Sequence, residues 1–225
     1  KVSKWLQGDA VKTFDADHAY VVEFWATWCG PCRTSIPHLN ELHEKFADKG
    51  VIVIGQDCWE RDDDLVAPFV KEMGEKMTYR VAYDDKSEIE KGAMAHTWME
   101  AAGQSGIPTA FVIDKQQRIA WIGHPMELND ALLTAVLDGT FDIELAKKER
   151  AAQQKFMAMA REILRNVAVA VQAKDWEKAE TLADEFEEAA PEKYKATARL
   201  QKLRIAVAKK DGPAIRVDIN LSGLP

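Results

Sequence analysis

Two runs rich in β-formers, YVVEFW (20–25) and VIVIGQ (51–56), bracket a stretch of helical periodicity, and this alternation restricts the chain more than any other feature. Both runs are almost continuously apolar, which marks strands covered on both faces. Between them Ile36, Leu39, Leu42, His43 and Phe46 recur at helical spacing, and Lys49-Gly50 ends the segment. Asp62, Asp63 and Asp64 read as a helix start, because carboxylates favour the positive N-terminal end; Val66, Phe69, Val70 and Met73 form the inward face that follows. Residues 80–83 suit a short strand, and residues 88–102 a helix with Met94, Trp98, Met99 and Ala102 on one side, read as core rather than groove. TAFVID and RIAWIG are separated only by Lys115-Gln116-Gln117, which predicts a hairpin. One more amphipathic helix is expected over 127–139. Strands that alternate with helices and then close in a hairpin predict an α/β sandwich with a mixed sheet.

From about residue 144 the pattern changes: alanine is abundant and helical periodicity dominates until the last few residues. Helices are predicted near 144–173, 175–189 and 192–210, with Asp175 as a cap and Pro191 as a break. The chain therefore divides into an α/β domain, 1–142, and an all-α extension of helix pairs, 143–225. A faint echo at offset 36 matches Val167, Val169, Ala170, Val171, Lys174 and Asp175 to Leu203, Ile205, Ala206, Val207, Lys210 and Asp211. Charge follows the same division. Residues 1–142 hold 14 Lys and Arg against 24 Asp and Glu, a net of −10, while the extension is +3. The acidic balance argues against nucleic acid as a partner of the first domain. No apolar run is long enough to span a membrane. KVSKWLQG shows no secretory signal, which leaves a cytosolic chain and a trimmed exported chain both open.

The chemistry is concentrated in WCGPC (28–32). At the junction of strand and helix, Cys29 has its sulfur near unsatisfied N–H groups and the positive pole, which favours the thiolate. Cys32 lies one turn along on the same face. Such a pair opens and closes a small ring: Cys29 attacks a partner's disulfide, and the deeper Cys32 then resolves the mixed disulfide. Pro31 fits the first helical turn, where its missing N–H costs little. Trp28 shields the sulfurs and offers a contact surface. Glu23, six residues before Cys29 in an otherwise apolar strand, is the candidate general base for Cys32; the alternative is a solvated edge position. Zinc would need four ligands, and neither a second CxxC nor a histidine pair at ligand spacing is present. A purely structural bridge between residues three apart would close almost no loop. Cys58 has no partner in sequence and reads as a small buried apolar residue. A peroxidase is disfavoured, because its Pro-x-x-x-Thr/Ser-x-x-Cys pattern is absent. Gly106-Ile107-Pro108 is the second informative stretch. A cis bond there would turn the chain sharply and free the backbone of Ile107 for an extended substrate, but the sequence leaves the isomer open.

VVEFWATWCGPCR, followed about 75 residues later by GIPTAFVID and RIAWIG, resembles the thioredoxin-like superfamily, closest to its TlpA/ResA-like branch of bacterial thiol–disulfide oxidoreductases. The resemblance covers roughly residues 5–140. It implies a thioredoxin-like three-layer sandwich, a nucleophilic Cys29, a resolving Cys32, Glu23 in the place of thioredoxin's buried aspartate, and a cis peptide at Pro108. It implies substrate contacts at Trp28, Gly30, Pro31, Ile107 and Pro108. Thioredoxin also carries a lysine near its acid, and VIVIGQDC offers none. Residues 84–105 resemble the insertion that this branch carries before the final hairpin. The implied activity is disulfide reduction in proteins, with oxidase or isomerase as the alternative, no cofactor, and an upstream thiol as electron donor. The implied location is the periplasm or another extracytoplasmic space. The helical extension lies outside the resemblance; its helix pairs are similar to tetratricopeptide-like modules, which suggests a protein partner, the alternative being a cap or dimer surface.

Overall fold

The computed structural model describes residues 1–211. The chain forms two compact units, Lys1–Lys147 and a second from Lys148 onward.

In the first unit a six-stranded sheet has the order β1-β4-β3-β2-β5-β6. Strand β2 (Ala19–Trp25) is buried along its whole length, and it pairs in parallel with β3 (Val51–Asp57) and antiparallel with β5 (Thr109–Ile113). Strand β4 (Arg80–Asp84) continues the parallel part, and β6 (Ile119–Gly123) completes the hairpin with β5. Strand β1 (Val2–Gln7), antiparallel to β4, was not expected from sequence. VSKWLQ lacks a clean alternation, and what makes it a strand is the open edge of β4.

The pleat divides the core in two. Val21 and Trp25 of β2 face helices α1 (Gly30–Phe46), α2 (Val66–Met73) and α3 (Asp130–Leu137), through Ile36, Leu39, Val66, Phe69 and Leu133 among others. Tyr20, Val22 and Phe24 face the other way, onto Ala95, Met99 and Trp98. The sheet is therefore the middle layer of three, the expected sandwich. Asp62 caps the turn leading into α2 by accepting the Asp64 N–H, as expected. The helix expected over 88–102 is shorter: a π-helical segment occupies Ala95–Glu100. Its start is set by Asp84, whose carboxylate accepts the N–H groups of Met94 and Ala95 at 2.7 and 2.8 Å.

The second unit contains α5 (Trp176–Ala189), α6 (Glu192–Asp211) and most of α4 (Ile143–Gln172). Phe156 stacks with Phe186 and Tyr194, while Ala160, Ala183 and Ala198 allow close helix approach. Asp175 caps α5 as expected. The offset-36 echo does not carry into equivalent packing. Val167 is buried but its match Leu203 is exposed, and Val169 is exposed but its match Ile205 is buried. The matches are compositional, a consequence of two alanine-rich helices. The strand-like residues at the end of the chain lie outside the described residues.

Candidate active site

Cys29 is the N-cap of α1, and its Sγ accepts the backbone N–H of Cys32 at 3.2 Å. The first turn of α1 carries no carboxylate, so this sulfur meets the positive helix end without a competing anion. Cys29 and Cys32 are joined by a disulfide, with S–S 2.07 Å and Cα–Cα 5.3 Å. Cys32 is fully buried and Cys29 is 3 % exposed, so Cys29 is the more accessible of the two. Gly30 and Pro31 between them are exposed. Trp28 is 43 % exposed; its Nε1 donates to the Trp59 carbonyl at 3.1 Å, and the Arg61 guanidinium lies 4.8 Å above its ring.

The peptide of Thr27 is gripped on both sides. Glu60 Oε2 accepts its N–H at 2.7 Å, and the Arg33 guanidinium donates twice to its carbonyl at 3.3 and 3.2 Å. The Cys58 N–H donates to the Trp25 carbonyl at 2.9 Å. Residues 58–61, just after β3, thus fasten the loop that carries the cysteines. Sequence reasoning missed Glu60 and Arg33. Their target is a backbone group, and Glu60 is 33 residues away from it, so no local signal existed.

Glu23 is fully buried on the α1 side of β2, which removes the solvated-edge alternative. The Ser35 hydroxyl donates to Oε1 at 2.9 Å and the Tyr79 hydroxyl to Oε2 at 3.3 Å. Burial pushes the carboxyl up to about 8; the two donors pull the other way without cancelling it. In register beside Glu23 stands Gly55. A Cβ there would come within 3.0 Å of both Trp25 Nε1 and the Tyr79 ring, so a bare backbone is what lets Tyr79 approach. Where thioredoxin places a lysine near its acid, this chain has a phenol and a hydroxyl. A second acid, Asp57, is also fully buried, in register with Trp25 at the end of β3. Among the described residues neither of its oxygens has a hydrogen-bond partner. Burial first, then the charge of Glu60, pushes it up to about 8. Asp57 gives a weaker signal than Glu23, since it follows Gln56 at the end of its strand instead of interrupting an apolar run.

The Ile107–Pro108 peptide is cis. Ile107 packs against the core cluster that contains both cysteines. Thr109 pairs with Phe24, so this bond lies at the end of the sheet from which WCGPC emerges. Cys58 is buried in the cluster on the opposite face, and burial pushes its thiol far up. Among the described residues no group of three His, Cys, Asp or Glu is placed to hold a metal ion.

The family model described as Redoxin matches residues 6–136. The chain belongs to the redoxin family. This redoxin is 30 % identical over 188 residues to Protein FixW of Rhizobium leguminosarum, covering 78 % of its own length and 81 % of that relative. It is 37 % identical over 98 residues to the thiol-disulfide oxidoreductase ResA of Bacillus thuringiensis subsp. konkukian, covering 44 % of itself and 50 % of ResA. The chain thus spans about half the length of that relative. A crystal structure of a thiol-disulfide isomerase from Corynebacterium glutamicum shares the fold, with a TM-score of 0.51, 20 % identity, and coverage of 63 % of this chain and 92 % of that one. Family, thioredoxin-like fold and a cysteine pair at bonding distance place this redoxin among the thiol–disulfide oxidoreductases.

Proposed function

We propose that this redoxin reduces disulfides in protein substrates with the Cys29–Cys32 dithiol. The observation that carries the reading is the Cys29 sulfur at the N-cap of α1, accepting a helix N–H with Cys32 buried behind it. In the reduced protein the Cys29 thiolate attacks one substrate sulfur, and the other leaves as a thiolate and takes a proton. Glu23 is the base that removes the proton of Cys32. The Cys32 thiolate then attacks Cys29 Sγ, and the second substrate sulfur leaves. Two electrons have passed to the substrate, and the protein is left as the disulfide. An upstream thiol donor restores the dithiol, and the exchange needs no cofactor.

Trp28, Gly30, Pro31, Ile107 and Pro108 form the substrate contact site: the first three are exposed around Cys29, Ile107 is partly buried at the same end of the sheet, and the buried Pro108 contributes by setting the backbone there. Reduction is favoured over oxidation because the Gly-Pro between the cysteines matches thioredoxin, whose potential is about −270 mV. The location follows the branch and is extracytoplasmic; no described helix is long and apolar enough to cross a membrane. We assign the redox chemistry to residues 1–142 and a partner-binding role to the extension, whose α6 exposes Leu200, Leu203 and Val207.

Reduction of insulin tests the reading. Wild type is expected to reduce it and Cys29→Ser to be inactive; equal rates for the two would end the proposal. The Cys32→Ser variant is expected to hold substrates as mixed disulfides on Cys29. Loss of one trapped protein on adding Leu203→Glu would support the role of α6, and an unchanged set would remove it.

A further inference from the structure

The hydroxyl of Ser35 bridges the Glu23 carboxyl and the backbone of Cys32 in the first turn of α1. Its Oγ lies 2.9 Å from Glu23 Oε1 and 3.1 Å from the carbonyl oxygen of Cys32. Glu23, Cys32 and Ser35 are all fully buried, so water does not compete. A hydroxyl has one proton and donates to one acceptor at a time. With Glu23 ionised, the charge-assisted bond to the carboxylate is the stronger one. With Glu23 protonated, the carboxyl donates to Ser35 Oγ, and the Ser35 proton turns to the Cys32 carbonyl. Tyr79 holds Oε2 from the far side, so the carboxyl keeps its aim in both states.

We infer that Ser35 is a positioning residue: its hydroxyl holds Glu23 for proton transfer from Cys32 and links each state of that carboxyl to the first turn of α1. The inference rests on the reductase reading. The proton step converts a Cys32 thiol and a Glu23 carboxylate into a thiolate and a carboxylic acid. The thiolate then bonds to Cys29 Sγ as the Cys29–substrate S–S bond breaks, and the electron pair of that bond leaves with the substrate thiolate.

The titratable groups around Glu23 are few. Helix α1 supplies the cysteine pair, the connection into β4 supplies the Tyr79 phenol, β3 supplies Asp57 two places beyond Gly55, and Cys58, whose thiol feels the Glu23 charge, follows β3. The neighbours in register, Gly55 and Ala110, do not titrate. His43 of α1 faces the ring of Tyr79, with ring centres 6.3 Å apart.

The test uses the reduced protein and dithiobis(nitrobenzoate). The first release of nitrothiobenzoate reports attack by Cys29, and the second reports resolution by Cys32. The second phase is followed from pH 5 to 10 in wild type, Ser35→Ala and Ser35→Thr. In parallel the Glu23 carboxyl is titrated by carbon NMR, assigned with Glu23→Gln. Loss of a donor to the ionised form is expected to move both midpoints up by about one pH unit in Ser35→Ala. Ser35→Thr, which keeps the hydroxyl, must follow wild type. A Ser35→Ala profile that superimposes on wild type, or a kinetic shift without a shift of the carboxyl, would overturn the inference and leave the reductase reading intact. A wild type that shows no second phase would instead sink that reading.

Discussion

Glu23 and Asp57 are carboxyls that a folded chain would not bury for stability alone. The ordinary values are 4.5 and 3.8, and both are raised to about 8. Between the unfolded and folded values the native state binds more protons than the unfolded state. Stability from each group is therefore full below the unfolded value, falls as pH rises, and is lost by the time pH passes about 8. Asp57→Asn is expected to raise stability against urea by a few kcal/mol, roughly, at pH 8.5 and by much less at pH 5. Glu23→Gln is expected to change stability in the same direction while slowing resolution by Cys32. An equal gain at both pH values would show that Asp57 ionises freely. The difference in hydrogen bonding separates the two acids: Glu23 has two donors, and Asp57 has none among the described residues. Glu23 was legible because a charge interrupts an apolar run just before the cysteines. Ser35 was not singled out in the sequence, since nothing there shows that a serine one turn beyond Cys32 meets a carboxyl of β2. Nor was Tyr79, since it is 56 residues from Glu23 and its approach depends on Gly55 in a neighbouring strand.

Elements with a strong internal period were readable from sequence, and elements defined by a neighbour were not. Strands β2 and β3, helices α1 and α2, the β5–β6 hairpin and the three long helices all announce themselves through spacing of apolar residues and through caps such as Asp62 and Asp175. Strand β1 exists because β4 offers an edge, and the π-helical segment begins where Asp84 receives it. The loop after β3 is of the same kind: its role is to hold the backbone ahead of the cysteines. Glu60→Ala is expected to leave the Thr27 N–H without its acceptor and to cost about 1–3 kcal/mol in chemical denaturation. Glu60→Gln keeps an acceptor oxygen and is expected to recover most of that loss. If both variants match wild type, the grip on Thr27 contributes nothing.

At the scale of the whole molecule, an acidic stretch, residues 1–142, precedes a stretch of net positive charge, 143–225, and the chain forms two compact units that divide after Lys147. The offset-36 echo did not become a structural repeat: an echo between alanine-rich segments says little, because burial depends on which way each helix is turned. The placement of the three cysteines has a practical result. Two share the helix-covered face of the sheet and exchange with partners, whereas the third is sealed on the opposite side. Once the pair is reduced and alkylated, the remaining thiol is a silent tag for opening of the α/β unit. Its labelling by iodoacetamide is expected to be negligible in buffer and to rise in step with urea-induced unfolding; fast labelling in buffer would show that this face breathes. The molecule carries, in one atom, a clock for its own loss of structure.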